Sequence, residues 1–119
     1  MSAVRIYGLS NCDTTKKALR WLERNGVAVE FSDYRANPIP AETLKSWARQ
    51  LGWTTLVNRQ STTWRQLPDA RKQAASDPEF VVLLRDHPQL IKRPVLVRGD
   101  EVTVGFSDAL YKKMLLAKE

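Results

Sequence analysis

The hydrophobic pattern of the first 35 residues predicts a strand, a helix and a second strand. Apolar and polar positions alternate over residues 3–7 before Gly8, which is the two-residue period of a half-buried strand. A helix is predicted to open at Asp13 and to close at Asn25-Gly26. Strand character returns over residues 27–31 and runs on towards Tyr34. The apolar face of the helix is formed by Ala18, Leu19, Trp21 and Leu22. This order predicts two parallel strands joined by a right-handed crossover.

Between residues 37 and 88 the hydrophobic period changes to that of helices. One amphipathic helix is predicted to begin at Pro40 and to stop at Gly52. Ser76 and Glu79 have the spacing of a capping box, which predicts another helix that ends near Pro88. Residues 66–75 predict a further short helix. The buried positions of the two longer helices are Leu44, Trp47, Ala48, Leu51, Phe80, Leu83 and Leu84.

The last third of the chain predicts a hairpin and a final helix. Residues 94–97 and 101–104 have strand character on either side of a turn at Gly99. Ser107 or Asp108 is predicted to cap a helix whose apolar face carries Leu110, Met114 and Ala117. The whole order, βαβ, helices, ββα, predicts an α/β fold with a mixed sheet.

We interpret residues 1–119 as a single domain. Its core is predicted at about 1–36 and 89–119, and a helical insertion at about 37–88 interrupts it between the second and third strands. The insertion is not interpreted as a separate domain because it is too short to bury a core of its own.

Composition and charge exclude several classes of function. The net charge of +6 favours anionic partners, but the 19 Lys and Arg residues are scattered along the chain, so we expect no nucleic-acid binding. No apolar run approaches the roughly 20 residues of a membrane span, and no signal peptide is recognisable. One cysteine and one histidine predict neither a metal site nor an internal disulfide. We therefore expect a cytoplasmic protein without a bound cofactor.

Cys12 is the candidate reactive residue, because it lies where the first strand gives way to the first helix. Helix N-termini favour anions and lower the pKa of thiols. Ser10, Thr14 and Thr15 are available to hydrogen-bond the sulfur, and Lys16 adds positive charge one turn in, whereas Asp13 works against the thiolate. A lone cysteine is commonly a small buried hydrophobe, but the polar loop around Cys12 favours reactivity. Thr15 stands where a C-x-x-C pair has its second cysteine, so we predict a monothiol that forms disulfides only with a second molecule.

Several spaced motifs resemble one known family over essentially the whole chain. The chain resembles the arsenate reductase (ArsC) family, specifically its Spx/YffB branch. The motifs are Tyr7-Gly8, Asn11-Cys12-Asp13-Thr14, Lys16-Lys17-Ala18, Asp33-Tyr34-Arg35, Asn58-Arg59, Thr62-Thr63-Trp64-Arg65, His87-Pro88 and Ile91-Lys92-Arg93-Pro94-Val95. The resemblance implies a thioredoxin-like core with a helical insertion.

The resemblance also implies roles for individual residues. The cysteine that matches Cys12 attacks arsenate in the family's reductases, and glutathione and glutaredoxin complete the cycle. Arg59 and Arg93 match two of three arginines that hold the oxyanion, and Phe106 stands in the place of the third. Gly8 stands where those reductases keep a histidine. These departures count against efficient arsenate reduction but not against thiol chemistry.

The residues around Cys12 complete the predicted site. The resemblance implies that Pro94 is the cis-proline that lies against the active cysteine of thioredoxin-like folds. Arginine forks bind carboxylates or oxyanions in bidentate fashion, so Arg59 and Arg93 are predicted to hold arsenate or a glutathione carboxylate. Asn11, Thr14, Thr15 and Pro94 are the other predicted binding residues.

Three functions remain open at this point. The first is a monothiol reductase in which Cys12 is the nucleophile, with glutathione or a glutaredoxin-type thiol as donor and a small oxyanion as a possible substrate. The second is an Spx-like regulator that binds RNA polymerase; the absence of a second cysteine at Thr15 counts against it. The third is a catalytically degenerate binding module. His87 is predicted to be a structural residue at a helix end, and Trp64 and Arg65 either rim the thiol cleft or pack the insertion.

Overall fold

The computed structural model describes residues 3–116, in which four strands form one mixed sheet. The strands are β1 (Val4–Gly8), β2 (Val29–Asp33), β3 (Val95–Arg98) and β4 (Glu101–Val104). Their order across the sheet is β2-β1-β3-β4. Strand β1 runs parallel to β2 and antiparallel to β3, and β4 pairs antiparallel with β3. The predicted βαβ unit, the hairpin and the mixed sheet are confirmed.

Two of the described helices carry three turns, and the others are shorter. The helices are α1 (Asp13–Arg24), α2 (Ala41–Leu51), α3 (Trp53–Leu56), α4 (Thr62–Arg65), α5 (Asp69–Lys72), α6 (Asp77–Asp86) and α7 (Asp108–Tyr111). A 3₁₀ turn (Pro88–Leu90) follows α6, and a π-helical turn (Lys112–Leu116) continues α7. The described part of the chain divides into two compact units, residues 3–33 with 93–116 and residues 34–92. The predicted insertion at 37–88 falls inside the second unit.

The first unit is built around one face of its sheet. Val4 and Ile6 of β1 are buried, whereas Arg5 between them is exposed, as the alternating pattern predicts. The apolar face of α1 packs on these residues, and burying side chains of this size stabilises the fold by about 1.5–3 kcal/mol each. The buried cluster consists of Val4, Ile6, Ala18, Trp21, Leu22, Leu96 and Tyr111. This packing fixes the N-terminus of α1 beyond the end of β1.

The second unit is helical and has buried residues of its own. Helix α2 begins after Pro40 and ends at Gly52, as predicted. The Ser76 hydroxyl accepts the Glu79 amide and the Glu79 carboxylate accepts the Ser76 amide, so the predicted capping box of α6 is confirmed. The predicted stripes of α2 and α6 are buried at Leu44, Trp47, Phe80, Leu83 and Leu84.

Strand β2 begins two residues later than the pattern predicts. Gly26 has a φ of +68°, and the Val27 amide donates to the Leu22 carbonyl (3.0 Å). These residues close the C-terminus of α1 in a Schellman arrangement, which takes Val27 out of the strand. The strand therefore spans Val29–Asp33.

The short helices also differ from the prediction. Within residues 66–75 only the single turn α5 is helical, because Pro68 at its N-cap is extended, and α4 lies before that window. The sequence analysis did not predict α3. The Ser107 hydroxyl accepts the Leu110 amide (3.0 Å), which identifies Ser107 as the cap of the last helix. That helix turns into the π-helical segment after Tyr111, and Ala117 lies outside the described residues.

Two features are not found among residues 3–116. Each helix there is too short or too polar to cross a bilayer. The same residues contain no group of three or more His, Cys, Asp or Glu side chains placed to hold a metal ion.

Candidate active site at Cys12

Cys12 occupies the N-cap position of α1. Its backbone is extended (φ −91°, ψ 125°), and its carbonyl accepts the first helical hydrogen bond from the Lys16 amide (2.9 Å). The Cys12 amide donates to the Leu9 carbonyl (3.0 Å), which closes a tight turn between β1 and α1. The half-buried thiol therefore lies at the positive end of a twelve-residue helix.

The surroundings of the sulfur favour the thiolate. Burial raises the pKa of the Cys12 thiol. Hydrogen bonds to the sulfur together lower it by more than burial raises it, so the pKa lies below its ordinary value. The donors that lower the pKa are the Thr15 hydroxyl and amide, the Arg93 side chain and the Thr14 amide. The site thus combines backbone N–H groups of a helix terminus with one hydroxyl and one guanidinium.

The Thr15 side chain is the buried one among these pKa-lowering groups. Thr15 is fully buried, and within residues 3–116 its Oγ1 has no hydrogen-bond partner of regular geometry. A buried hydroxyl without such a partner carries a desolvation cost, which an anionic sulfur within reach would offset by accepting a hydrogen bond from it. Thr15 is among the residues that lower the pKa of Cys12, and its binding role stays a prediction.

Gly8 makes room for Thr15. A Cβ at position 8 would lie 2.6 Å from Thr15 Oγ1 and 2.8 Å from its Cγ2. Real side chains do not approach so closely, so glycine is required here for the close contact between β1 and the first turn of α1. The histidine that the resemblance places at position 8 is incompatible with Thr15 in this geometry.

Arg93 and Pro94 reach the site from the start of β3. The Arg93-Pro94 peptide bond is cis, as the resemblance implies. Pro94 is buried, and its carbonyl accepts the Gly105 amide (2.9 Å), which ties this segment to the residue after β4. The structure brings Cys12, Thr14, Thr15 and Arg93 together in the first unit.

The remaining predicted residues have different locations. Asn11 is exposed directly before Cys12. Arg59 lies in the second unit, exposed, with its guanidinium carbon 5.4 Å from the centre of the Trp64 ring. That distance is typical of a cation–π pair. The binding roles of Arg59 and Asn11 stay predictions.

Two other residues lie where their structural interpretation predicts. Arg65 bonds to the Gln60 carbonyl (3.1 Å) and the Thr62 hydroxyl (3.3 Å), so both contacts stay inside the second unit. His87 is the C-cap of α6, which confirms its place at a helix end.

Phe106 is half-buried and packs against the buried cluster of the first unit. Its ring meets Tyr111 edge-on, with 4.8 Å between the ring centres and 89° between the planes. Burial raises the pKa of Tyr111, whose ring also contacts Trp21. The position that the resemblance assigns to a third arginine thus packs against apolar aromatic rings.

Asp33 contacts the turn before Cys12, although it is not among the site residues predicted from the sequence. Its Oδ2 accepts the Ser10 amide (3.0 Å), in the turn that leads to Cys12. Gly8 and Asp33 are paired in the parallel register of β1 and β2. Because parallel strands end at the same edge of a sheet, an acidic residue at the end of the second strand was the available signal.

Comparison with known proteins identifies the family of the chain. The model of the ArsC family matches residues 7–114. A solved structure of a protein named YFFB is 40% identical, with a TM-score of 0.89 over 95% of this chain and 99% of that one. The solution structure of an arsenate reductase (ArsC) related protein from Brucella melitensis is 39% identical, with a TM-score of 0.76 over 94% and 93%.

One of the similar proteins is named as a transcriptional regulator. The global transcriptional regulator Spx 2 of Bacillus anthracis is 28% identical over 114 residues, which are 94% of this chain and 86% of that protein. These likenesses and the sheet topology confirm the thioredoxin-like fold and the resemblance drawn from the motifs. The chain, with a half-buried cysteine at the N-cap of its first helix, belongs to the ArsC family.

Proposed function

We propose that this protein is a thiol-dependent oxidoreductase in which Cys12 is the nucleophile. The observation that carries the proposal is the donor set around the sulfur, which lowers the pKa of Cys12. The thiolate is the reactive form of cysteine, and a pKa nearer to neutral increases its population at physiological pH. The proposal places the protein in a reducing cytoplasm, where glutathione is the co-substrate and no cofactor is bound.

The proposed reaction is the reduction of a mixed disulfide between glutathione and a protein thiol. The Cys12 thiolate attacks the glutathione sulfur, forms a Cys12–glutathione disulfide and releases the protein thiolate, which takes up a proton. A second glutathione, as thiolate, then attacks the bound glutathione sulfur. Oxidised glutathione leaves and Cys12 returns as thiolate, so the incoming glutathione is the reductant and one disulfide is exchanged for another.

A small oxyanion such as arsenate is the other substrate included in the proposal. Arg93 beside the sulfur, together with Asn11, Thr14, Thr15 and Pro94 of the same unit, would provide the binding groups. Phe106 faces Tyr111 in place of a third arginine, and Gly8 replaces a histidine. Both departures favour the glutathione disulfide over arsenate.

Mass spectrometry after exposure to oxidised glutathione tests the proposal. We expect one glutathione adduct on Cys12, absent in Cys12→Ser, and its loss when reduced glutathione or a glutaredoxin is added. The same protein is assayed for arsenate reduction. No adduct and no arsenate turnover would overturn the reductase and would favour a binding module.

A second candidate is a regulator that binds RNA polymerase. It is favoured by the likeness to Spx 2, which extends over 94% of this chain. The test is affinity capture of purified RNA polymerase with the wild-type protein and with Cys12→Ser. Capture in both forms would support the regulator, because binding would then not need the thiol. Failure to capture any polymerase subunit would remove this candidate.

A further inference from the structure

The turn that carries Cys12 is tied to the neighbouring strand by one carboxylate. The Ser10 backbone amide donates a hydrogen bond to Asp33 Oδ2, with 3.0 Å between nitrogen and oxygen. Asp33 is the last residue of β2. The turn itself is closed two residues later by the bond from the Cys12 amide to the Leu9 carbonyl. These two hydrogen bonds hold the turn at both of its ends.

We infer that Asp33 is a positioning residue for the Cys12 sulfur. The inference rests on the proposed function, since it concerns the same nucleophile. Ser10 is exposed, so little packing restrains the turn on its outer side. The sulfur must meet donors from Thr15 and Arg93 at hydrogen-bond distance, and a displacement of about 1 Å is enough to lose such a bond. The Asp33 contact fixes the point from which the chain enters α1.

The contribution of Asp33 comes from its hydrogen bond and not from its charge. A carboxylate near a thiolate raises the pKa of the thiol, because two like charges disfavour one another. A negative residue at this place therefore opposes the anion electrostatically while it orders the turn. The register of β1 and β2 explains why the side chain reaches the turn, since Asp33 lies opposite Gly8.

The two effects separate in a pair of neutral variants. Asp33→Asn keeps an oxygen that can accept the Ser10 amide, and Asp33→Ala removes it. Both lack the charge, so any difference between them reports the hydrogen bond. Glu30→Gln and Glu30→Ala serve as the matched control pair, because Glu30 is an exposed residue of the same strand that pairs with Arg5 (3.3 Å).

The experiment measures the rate of Cys12 alkylation by iodoacetamide from pH 5 to pH 10, which gives the pKa of the thiol and the reactivity of the thiolate. We expect Asp33→Ala to react roughly three- to tenfold more slowly at pH 7 than Asp33→Asn, with a higher thiol pKa. The Glu30 pair should show no difference. Equal profiles for the two Asp33 variants would overturn the inference while leaving the nucleophile intact. An ordinary thiol pKa in the wild-type protein would overturn the proposed function and this inference with it.

Hydrogen exchange provides a second measurement that needs no alanine variant. The Ser10 amide is on an exposed residue, so protection from exchange depends on Asp33. We expect slowed exchange at Ser10 in the wild-type protein and in Asp33→Asn. Exchange at the rate of an unstructured amide in the wild-type protein would contradict the inference even where Asp33→Ala does not fold.

Discussion

A Cβ at Gly8 would lie 2.6 Å from Thr15 Oγ1, so the absence of a side chain at position 8 leaves the space that the threonine side chain occupies. The glycine allows the first turn of α1 to approach β1. The threonine fills that space and supplies a donor to the sulfur. The two residues therefore form one structural unit of the site.

Gly8→Ala is expected to destabilise the protein by about 1–3 kcal/mol, because the added methyl group overpacks a buried contact. The cost should shrink when Thr15→Ala is present, since the two atoms nearest to the new Cβ are then removed. Urea unfolding of the wild type, both single variants and the double variant measures the coupling. Additive effects of the two substitutions would contradict the contact.

Thr15→Val should separate stability from reactivity. Valine has nearly the same shape but lacks the hydroxyl, so the pKa of Cys12 is expected to rise and alkylation at pH 7 to slow by roughly fivefold. Because Oγ1 is buried without a regular partner, the folded state should lose nothing or gain about 1 kcal/mol. Thr15→Ser is the control and should keep the low pKa. A Thr15→Val variant with wild-type alkylation kinetics would show that the hydroxyl does not serve the sulfur.

The pH dependence of stability should carry the signature of Cys12. Its folded-state pKa is lower than that of the unfolded chain, so the thiolate stabilises the fold fully above the unfolded value of about 8.5. That contribution is lost as the pH falls through the folded-state pKa. The Tm advantage of the wild type over Cys12→Ser should therefore be larger at pH 9.5 than at pH 6. An advantage that does not vary with pH would contradict the lowered pKa.

Arg93→Ala is expected to raise the pKa of Cys12 and to weaken the binding of glutathione or arsenate, because it removes a donor to both sulfur and anion. Losing one charged hydrogen bond corresponds to roughly a tenfold or greater loss of affinity. Calorimetry and alkylation kinetics measure the two effects. Arg59→Ala, in the same calorimetric series, tests the predicted anion role of Arg59. Unchanged affinity in either variant would remove that arginine from the site.

Phe106→Arg is expected to destabilise the protein by about 2–4 kcal/mol without increasing arsenate reduction. The Phe106 ring packs on Tyr111, and a guanidinium there would lose its water without gaining a partner. Phe106→Leu is the control and should cost less, since it keeps an apolar side chain. A stable Phe106→Arg protein with faster arsenate turnover would mean that position 106 can face the sulfur.

Much of the fold follows from short-range pattern. The alternation in β1, the apolar stripe of α1 and the capping box at Ser76 each depend on residues within one element, and the structure confirms them. The start of β2 does not follow from its own residues, because Val27 is used by the C-terminal closure of α1. Val27 can bond either to the end of α1 or to a neighbouring strand, and which of the two forms depends on residues outside β2.

The candidate site could likewise be predicted only where it depends on neighbouring residues in the sequence. The place of Cys12 at a strand-to-helix junction indicates a helix N-terminus directly from the sequence. The family resemblance, and not the residue pattern, pointed to Arg93 and the cis bond at Pro94. The proposed role of Asp33 could be predicted only from the register of two strands that are 20 residues apart. The tight contact between Gly8 and Thr15 could be predicted only from the packing of individual atoms.

Thr15 stands where a C-x-x-C pair has its second cysteine, and this affects how fast a disulfide at Cys12 can be reduced. A neighbouring second thiol would attack at an effective concentration far above that of free thiols in solution. Within these 119 residues Cys12 has no such neighbour, so a resolving thiol must arrive by diffusion. We therefore expect the lifetime of a mixed disulfide at Cys12 to vary inversely with the concentration of external thiol.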